Sequence, residues 1–218
     1  MQGAIVNHTT IHQEAATDRY LDPPPLLLII SGPSGVGKDT VVAAMEKAGI
    51  PFRFVVTSTT RPPRPGEIDG EDYVFVERDQ FERMIDEDEL IEYAVVYDQY
   101  KGIPKKHVRD ALASGQDVVM RLDVQGAETV QRLIPEAISV FLVAPSMSIL
   151  ERRLRARKSD TADQIEVRLA KARVEMEAMD SFDFVVPNRE DQVERAVADI
   201  AAILRAERLR VGRQPVRL

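Results

Sequence analysis

The segment Gly32-Pro33-Ser34-Gly35-Val36-Gly37-Lys38 carries the most legible chemistry in this chain. Glycines let successive backbone N–H groups turn inward around a phosphate, and a helix N-terminus adds the positive end of its dipole. Lys38 is placed to reach the β- and γ-phosphates of a nucleotide. The apolar run Leu26 to Ile30 precedes the glycines and an amphipathic run from Val41 follows them, so the strand–loop–helix context is met. The residue after the lysine of such a loop is ordinarily Ser or Thr, whose hydroxyl ligates Mg²⁺. Here it is Asp39, with Thr40 next. Either Asp39 binds the metal, directly or through water, or it points away and leaves Thr40 or water to serve. A loop with no hydroxyl after its lysine argues for a nucleotide kinase over a GTPase switch.

A second cluster, Thr57-Ser58-Thr59-Thr60-Arg61-Pro62-Pro63-Arg64-Pro65-Gly66-Glu67, sets two arginines three residues apart among three prolines. Guanidinium forks match phosphate oxygens bidentately, so a stiff segment bearing two of them reads as a second phosphate clamp. Tyr73 adds a hydroxyl donor to that reading. Further along, Arg152, Arg153, Arg157, Arg168 and Arg173 flank the polar break Lys158-Ser159-Asp160-Thr161. These are either surface charges paired with nearby glutamates or cations aimed at a transferring phosphoryl group.

The elements that must hold these groups follow from periodicity. Strand-like runs at Leu26–Ile30, Phe52–Thr57, Asp117–Leu122, Ile138–Val143 and Phe184–Val186 are predominantly apolar. Between and after them lie helical patterns at Val41–Ala48, at Ala127, Val130, Leu133 and Ile134, at Ser146–Arg157, at Ala162–Met179, and at Val193, Val197, Ile200 and Leu204. The alternation predicts an α/β fold whose parallel sheet is covered by helices on both faces. Residues 58–116 break the rhythm with clustered Pro and Gly, short strands at Tyr73–Val76 and Ile91–Tyr97, and a helix from Asp79 between them. They read as a small mixed insertion. Residues 1–25, ending in Pro23-Pro24-Pro25, read as a disordered leader, and 208–218 as a frayed basic tail.

The 218 residues suit one domain. A net charge of −7 disfavours non-specific nucleic-acid binding, so positive charge must be concentrated locally at any phosphate site. The absence of cysteine excludes thiol catalysis and thiolate metal sites and fits a cytoplasmic setting. No run approaches a membrane span. Oligomeric state is left open between monomer and homodimer.

Five motifs in one order make the chain resemble the guanylate kinases. They are the loop Gly32–Lys38, the segment Ser58–Glu67, Gly70-Glu71-Asp72-Tyr73, Leu90-Ile91-Glu92-Tyr93 and Asp123-Val124-Gln125-Gly126. The resemblance spans about Leu26 to Glu207. It implies a core of 26–57 and 117–207, an insertion at 58–116 that binds GMP, and a helical lid at about 152–175. It implies that ATP phosphorylates GMP, and dGMP, to the diphosphate, with Mg²⁺ as cofactor. Gly32, Pro33, Ser34, Gly35, Val36, Gly37, Lys38, Asp39, Thr40 and Asn188 match the positions that hold ATP. Arg61, Arg64 and Tyr73 match those that hold the GMP phosphate. Glu92 and Asp123 match the acids that read guanine, and Thr57 a hydroxyl assisting them. Arg153, Arg157 and Arg168 match lid positions over the transferring phosphoryl group. Catalysis would thus rest on Lys38, Arg61, Arg153, Arg157 and Arg168.

Three positions depart from the family's pattern. Lys101 stands where a phosphate-contacting tyrosine is common. Ile103 replaces a hydroxyl residue that contacts guanine, for a loss of about 0.5–1.5 kcal/mol. Arg121 stands where many relatives carry an acid. Two other activities share these features: a catalytically inactive domain of this fold that binds phosphopeptides, and a P-loop kinase for another small phosphorylated acceptor.

Overall fold

A computed structural model describes residues 20–64, 66–96, 98–156 and 162–218. Five strands form a parallel sheet in the order β2-β7-β1-β8-β9: β1 (Leu27–Ser31), β2 (Arg53–Phe54), β7 (Val118–Arg121), β8 (Ile138–Val143) and β9 (Phe184–Pro187). Apolar side chains on both faces of β1 explain its central place. Leu28 and Ile30 join one buried cluster, with Val41, Leu150, Leu169 and Ile200. Leu27 and Ile29 join the other, with Val108, Val124, Ala127 and Val130. The helices over the first face are α1 (Lys38–Lys47), α5 (Met147–Arg155), α6 (Ala162–Glu177) and α7 (Val193–Arg208). Over the second lie α3 (Lys105–Ala113) and α4 (Val124–Leu133).

A second sheet, β4-β3-β6-β5, is mixed: β3 (Ser58–Thr59), β4 (Val74–Phe75), β5 (Leu90–Val96) and β6 (Gln99–Pro104), with α2 (Arg78–Asp86) between β4 and β5. It is no loose appendage, because Ile91 and Ile103 are buried in the same apolar cluster as Leu27 and Val118.

Three local differences from the sequence reading have physical causes. The strand expected over Phe52–Thr57 divides. Arg53 and Phe54 pair with β7 and Val55 N–H still donates to Val119 at 3.0 Å, but the chain then crosses to the second sheet at Ser58. Strand β6 and helix α3 were not anticipated, because Gly102 and Pro104 hide the strand and only Val108 and Ala111 mark the buried stripe of the helix. The C-terminal segment is held, not frayed. Arg210 and Arg213 both bond the buried Glu207 carboxylate, Arg213 also donates to the Glu136 carbonyl at 2.8 Å, and Val216 packs on the core. Of the expected leader, residues 1–19 lie outside the described residues.

Candidate phosphate and base site

Parallel strands point their carboxyl ends the same way, and the register here aligns Ile30 with Arg121 and Ser31 with Phe141. The loops that leave those ends converge on one edge, where ligands bind in open sheets of this type. The first of them is the glycine loop. Gly32, Gly35 and Gly37 have φ of 133°, 85° and 97°, a region that side chains oppose. Space forbids a side chain too: a Cβ at Gly32 would stand 2.4 Å from the Leu142 carbonyl oxygen, and one at Gly37 would stand 2.5 Å from Asn188 Nδ2. Lys38 opens α1 and folds over the loop, donating to the Gly32 carbonyl at 2.6 Å. Burial lowers its pKa; Glu175, Asp39 and Asp123 act in the opposite sense.

The loop is gripped by residues far along the chain. Asn188 is buried, and its Nδ2 donates to the Val36 carbonyl at 2.8 Å. Arg153 donates to the same carbonyl at 3.0 Å and to the Asn188 carbonyl at 3.0 Å. A cavity of about 490 Å³ opens beside them, lined in part by Gly35, Gly37, Thr40, Arg153 and Asn188. Arg168 lies half-buried on α6, and Arg157 falls outside the described residues. Arg152 is turned to Glu190, and Arg155 to Glu151 and Glu166, so part of the arginine cluster is indeed paired surface charge.

Glu175 is a residue that the sequence reading missed. Its carboxylate is buried on α6 and accepts from the Ser34 N–H at 3.2 Å, within the glycine loop itself. It lies seven residues, about two helical turns, beyond Arg168 and so on the same face of α6. An acidic residue on a helix face otherwise rich in charge gave no sequence signal for this contact.

On the second sheet Arg61 is buried and fixed by three contacts. Its Nη1 and Nη2 both bond the Glu67 carboxylate, with Nη1 at 2.7 Å, and Nη1 also donates to the Pro62 carbonyl at 2.9 Å. Its guanidinium lies over the Tyr73 ring, 4.7 Å from the centroid. The Nε–H and the second Nη2 proton, the side-on fork of the group, remain beyond these bonds. Glu67 also accepts from the Arg64 N–H at 2.7 Å, while the Arg64 side chain stands exposed. These contacts hold the Glu67 carboxyl at about 2, the Arg61 bond first among them. Lys101, on β6, places Nζ 5.3 Å from the Tyr73 ring. Arg61, Tyr73 and Lys101 thus share one corner.

The two predicted base-reading acids meet at the start of α4. Asp123 caps that helix, with Oδ1 accepting from the Gly126 N–H at 2.9 Å. A Cβ at Gly126 would stand 3.2 Å from Glu92 Oε2 and 3.3 Å from Asp123 Oδ1, so both carboxylates crowd one spot and glycine keeps it open. Burial first, and Asp123 second, push the Glu92 carboxyl up to about 7. Thr57 lies half-buried where the chain passes between the sheets, its carbonyl accepting from the Val74 N–H at 3.0 Å. Ile103 is buried in the core, so its aliphatic chain contributes packing at this position.

A family model described as guanylate kinase matches residues 25–207. The chain belongs to the guanylate kinase family. It is 48% identical over 197 residues to guanylate kinase 2, chloroplastic/mitochondrial, of Oryza sativa subsp. japonica, covering 90% of this chain and 69% of that protein. It is 44% identical over 188 residues to the guanylate kinase of Carboxydothermus hydrogenoformans, covering 86% and 91%. The crystal structure of guanylate kinase from Anaplasma phagocytophilum superposes with a TM-score of 0.67 at 31% identity, covering 88% of this chain and 89% of that one. Membership of the family makes the chain a nucleotide kinase, a transferase of phosphoryl groups. No described helix is long and apolar enough to cross a membrane.

Proposed function

We propose that this protein transfers the γ-phosphoryl group of ATP to GMP, giving ADP and GDP, and accepts dGMP as well. The observation that carries the reading is the meeting of Glu92, from β5 of the inserted sheet, with Asp123 at Gly126 of α4, while Arg61, Tyr73 and Lys101 gather at one corner of that inserted sheet. Guanine offers its N1–H and exocyclic amino group as donors, and a carboxylate accepts from both; adenine presents an acceptor at N1 and is repelled. The basic corner then takes the phosphate of the same nucleotide, through the side-on fork of Arg61, the Tyr73 hydroxyl and Lys101. Arg64, exposed nearby, closes on it.

ATP occupies the glycine loop and the cavity beside Asn188 and Arg153. Lys38 supplies positive charge to the β- and γ-phosphates, and the loop N–H groups hold the β-phosphate. A GMP phosphate oxygen attacks the γ-phosphorus in line and the bond to the β,γ-bridging oxygen breaks, leaving ADP. An ionised phosphate is already nucleophilic, so positioning and charge neutralisation do the catalysis. Arg153, Arg157 and Arg168 serve that neutralisation from the lid. Among the described residues no cluster of three acidic or histidine ligands marks a metal site. Asp39 and Thr40 are exposed oxygen donors at the mouth of the loop, which suits the oxygen preference of Mg²⁺, and they would hold it. Bound there, it would neutralise charge on the β- and γ-phosphates.

The test is the Lys38→Ala variant, with turnover and GMP binding measured separately. Turnover lost by at least about a thousandfold with GMP affinity retained is expected; unchanged turnover would sink the mechanism.

A further inference from the structure

Asp39 places a carboxylate at the mouth of a loop built to receive polyphosphate. In isolation it suits the N-terminus of α1 and repels the ligand. Arg121 ends β7, 82 residues further on, and its Nη1 bonds Asp39 Oδ1. The guanidinium is itself anchored, 5.7 Å from the centre of the Phe54 ring on β2. The arginine side chain is 28% exposed and the aspartate 69% exposed, so the pair has a fixed cationic half and a solvent-facing acidic half. Two residues that depart from the expected pattern are therefore in contact with each other.

We propose that Arg121 is a positioning residue of the donor site: it cancels the charge of Asp39 beside the phosphates, and the two act as one neutral unit. The proposal rests on the reading of the glycine loop as the ATP site. Arg121 holds one carboxylate oxygen, which directs the other outward as the acceptor that a threonine or serine hydroxyl would otherwise supply. Removing the arginine leaves an uncompensated negative charge against the ligand. Removing the acid as well takes that charge away.

A double-mutant cycle read by calorimetric titration of ADP without metal, in chelator, tests this. Arg121→Ala is expected to weaken ADP about tenfold, the size of one partly screened charge contact. Arg121→Ala with Asp39→Asn is expected to return ADP affinity to within about threefold of the native protein, and Arg121→Lys to keep most of it. GMP affinity should stay within about twofold in all of them, which a general loss of folding would not allow. Equal loss from Arg121→Ala whether residue 39 is Asp or Asn would overturn the proposal, since it would make Arg121 a direct phosphate contact. No loss from Arg121→Ala would overturn it too, reducing the pair to ordinary surface charge. If the native protein itself fails to bind ADP, the reading of the loop falls, and the proposal with it.

Discussion

Glu92, the acid we propose to read guanine, shows how a single side chain is tuned by its surroundings. A carboxyl at about 7 is only half ionised in the empty site at neutral pH, and only the ionised form accepts two guanine donors. GMP affinity should therefore fall as pH drops below 7, by up to about tenfold per unit, in titrations followed by calorimetry. Glu92→Gln should remove that component and weaken GMP far more than ATP. The sign for stability is opposite. The folded-state value lies above the ordinary 4.5, so the folded protein holds the proton more tightly and loses stability as pH rises from 4.5 through 7. Glu92→Gln should thus raise the melting temperature at pH 8 and leave it nearly unchanged at pH 4. A variant that loses GMP affinity while gaining stability would mark the residue as kept for binding. The sequence singled this acid out in Leu90-Ile91-Glu92-Tyr93; its titration was not legible there, because burial and the nearness of Asp123 arise only when β5 and α4 meet.

At the scale of elements, the glycine loop was the clearest feature of the sequence, since strand, glycines, lysine and helix are contiguous. What grips it was not legible. Asn188 and Arg153 reach Val36 from 152 and 117 residues away, and Glu175 reaches Ser34 from 141. Pairings over such separations depend on the order β1-β8-β9 and on how α5 and α6 pack over it. The Glu175 bond ties α6 to the glycine loop. Glu175→Ala frees the Ser34 N–H and unpins α6. It should raise the ATP KM and lower kcat while leaving GMP affinity within about twofold in steady-state kinetics. Gly32→Ala is a harsher test of the loop, because the opposing atom is the backbone oxygen of Leu142 and cannot swing aside. A loss of several kcal/mol, about 3 or more, is expected in chemical denaturation.

For the whole molecule, the net charge of −7 is distributed to a purpose. Lys38 and Arg61 are drawn into the fold, while the acidic excess is spread over the surface apart from the buried Asp117, Glu175 and Glu207 and the half-buried Glu92. The central sheet could be read from its predominantly apolar strands. Of the second sheet, β4 and β5 could be read too, at Tyr73–Val76 and Ile91–Tyr97; the two-residue β3, and β6 with its Gly102 and Pro104, could not. Nor could the docking of the C-terminal segment, whose arginines look solvated until Glu207 is seen buried between them. Removing residues 209–218 would strip both partners from that carboxylate and should cost about 3 kcal/mol, visible as a drop of several degrees in thermal melting.

The proposed activity is defined by which nucleotide accepts the phosphoryl group. A coupled ADP-release assay with ATP and Mg²⁺, run in parallel with GMP, dGMP, AMP, CMP and UMP, addresses it most directly. The expected result is rapid turnover with GMP, slower turnover with dGMP, and rates lower by about a hundredfold or more with the other three, whose base edges offer Glu92 and Asp123 no adjacent pair of donors. Turnover with AMP or a pyrimidine nucleotide equal to that with GMP, or none with any of the five, would contradict it.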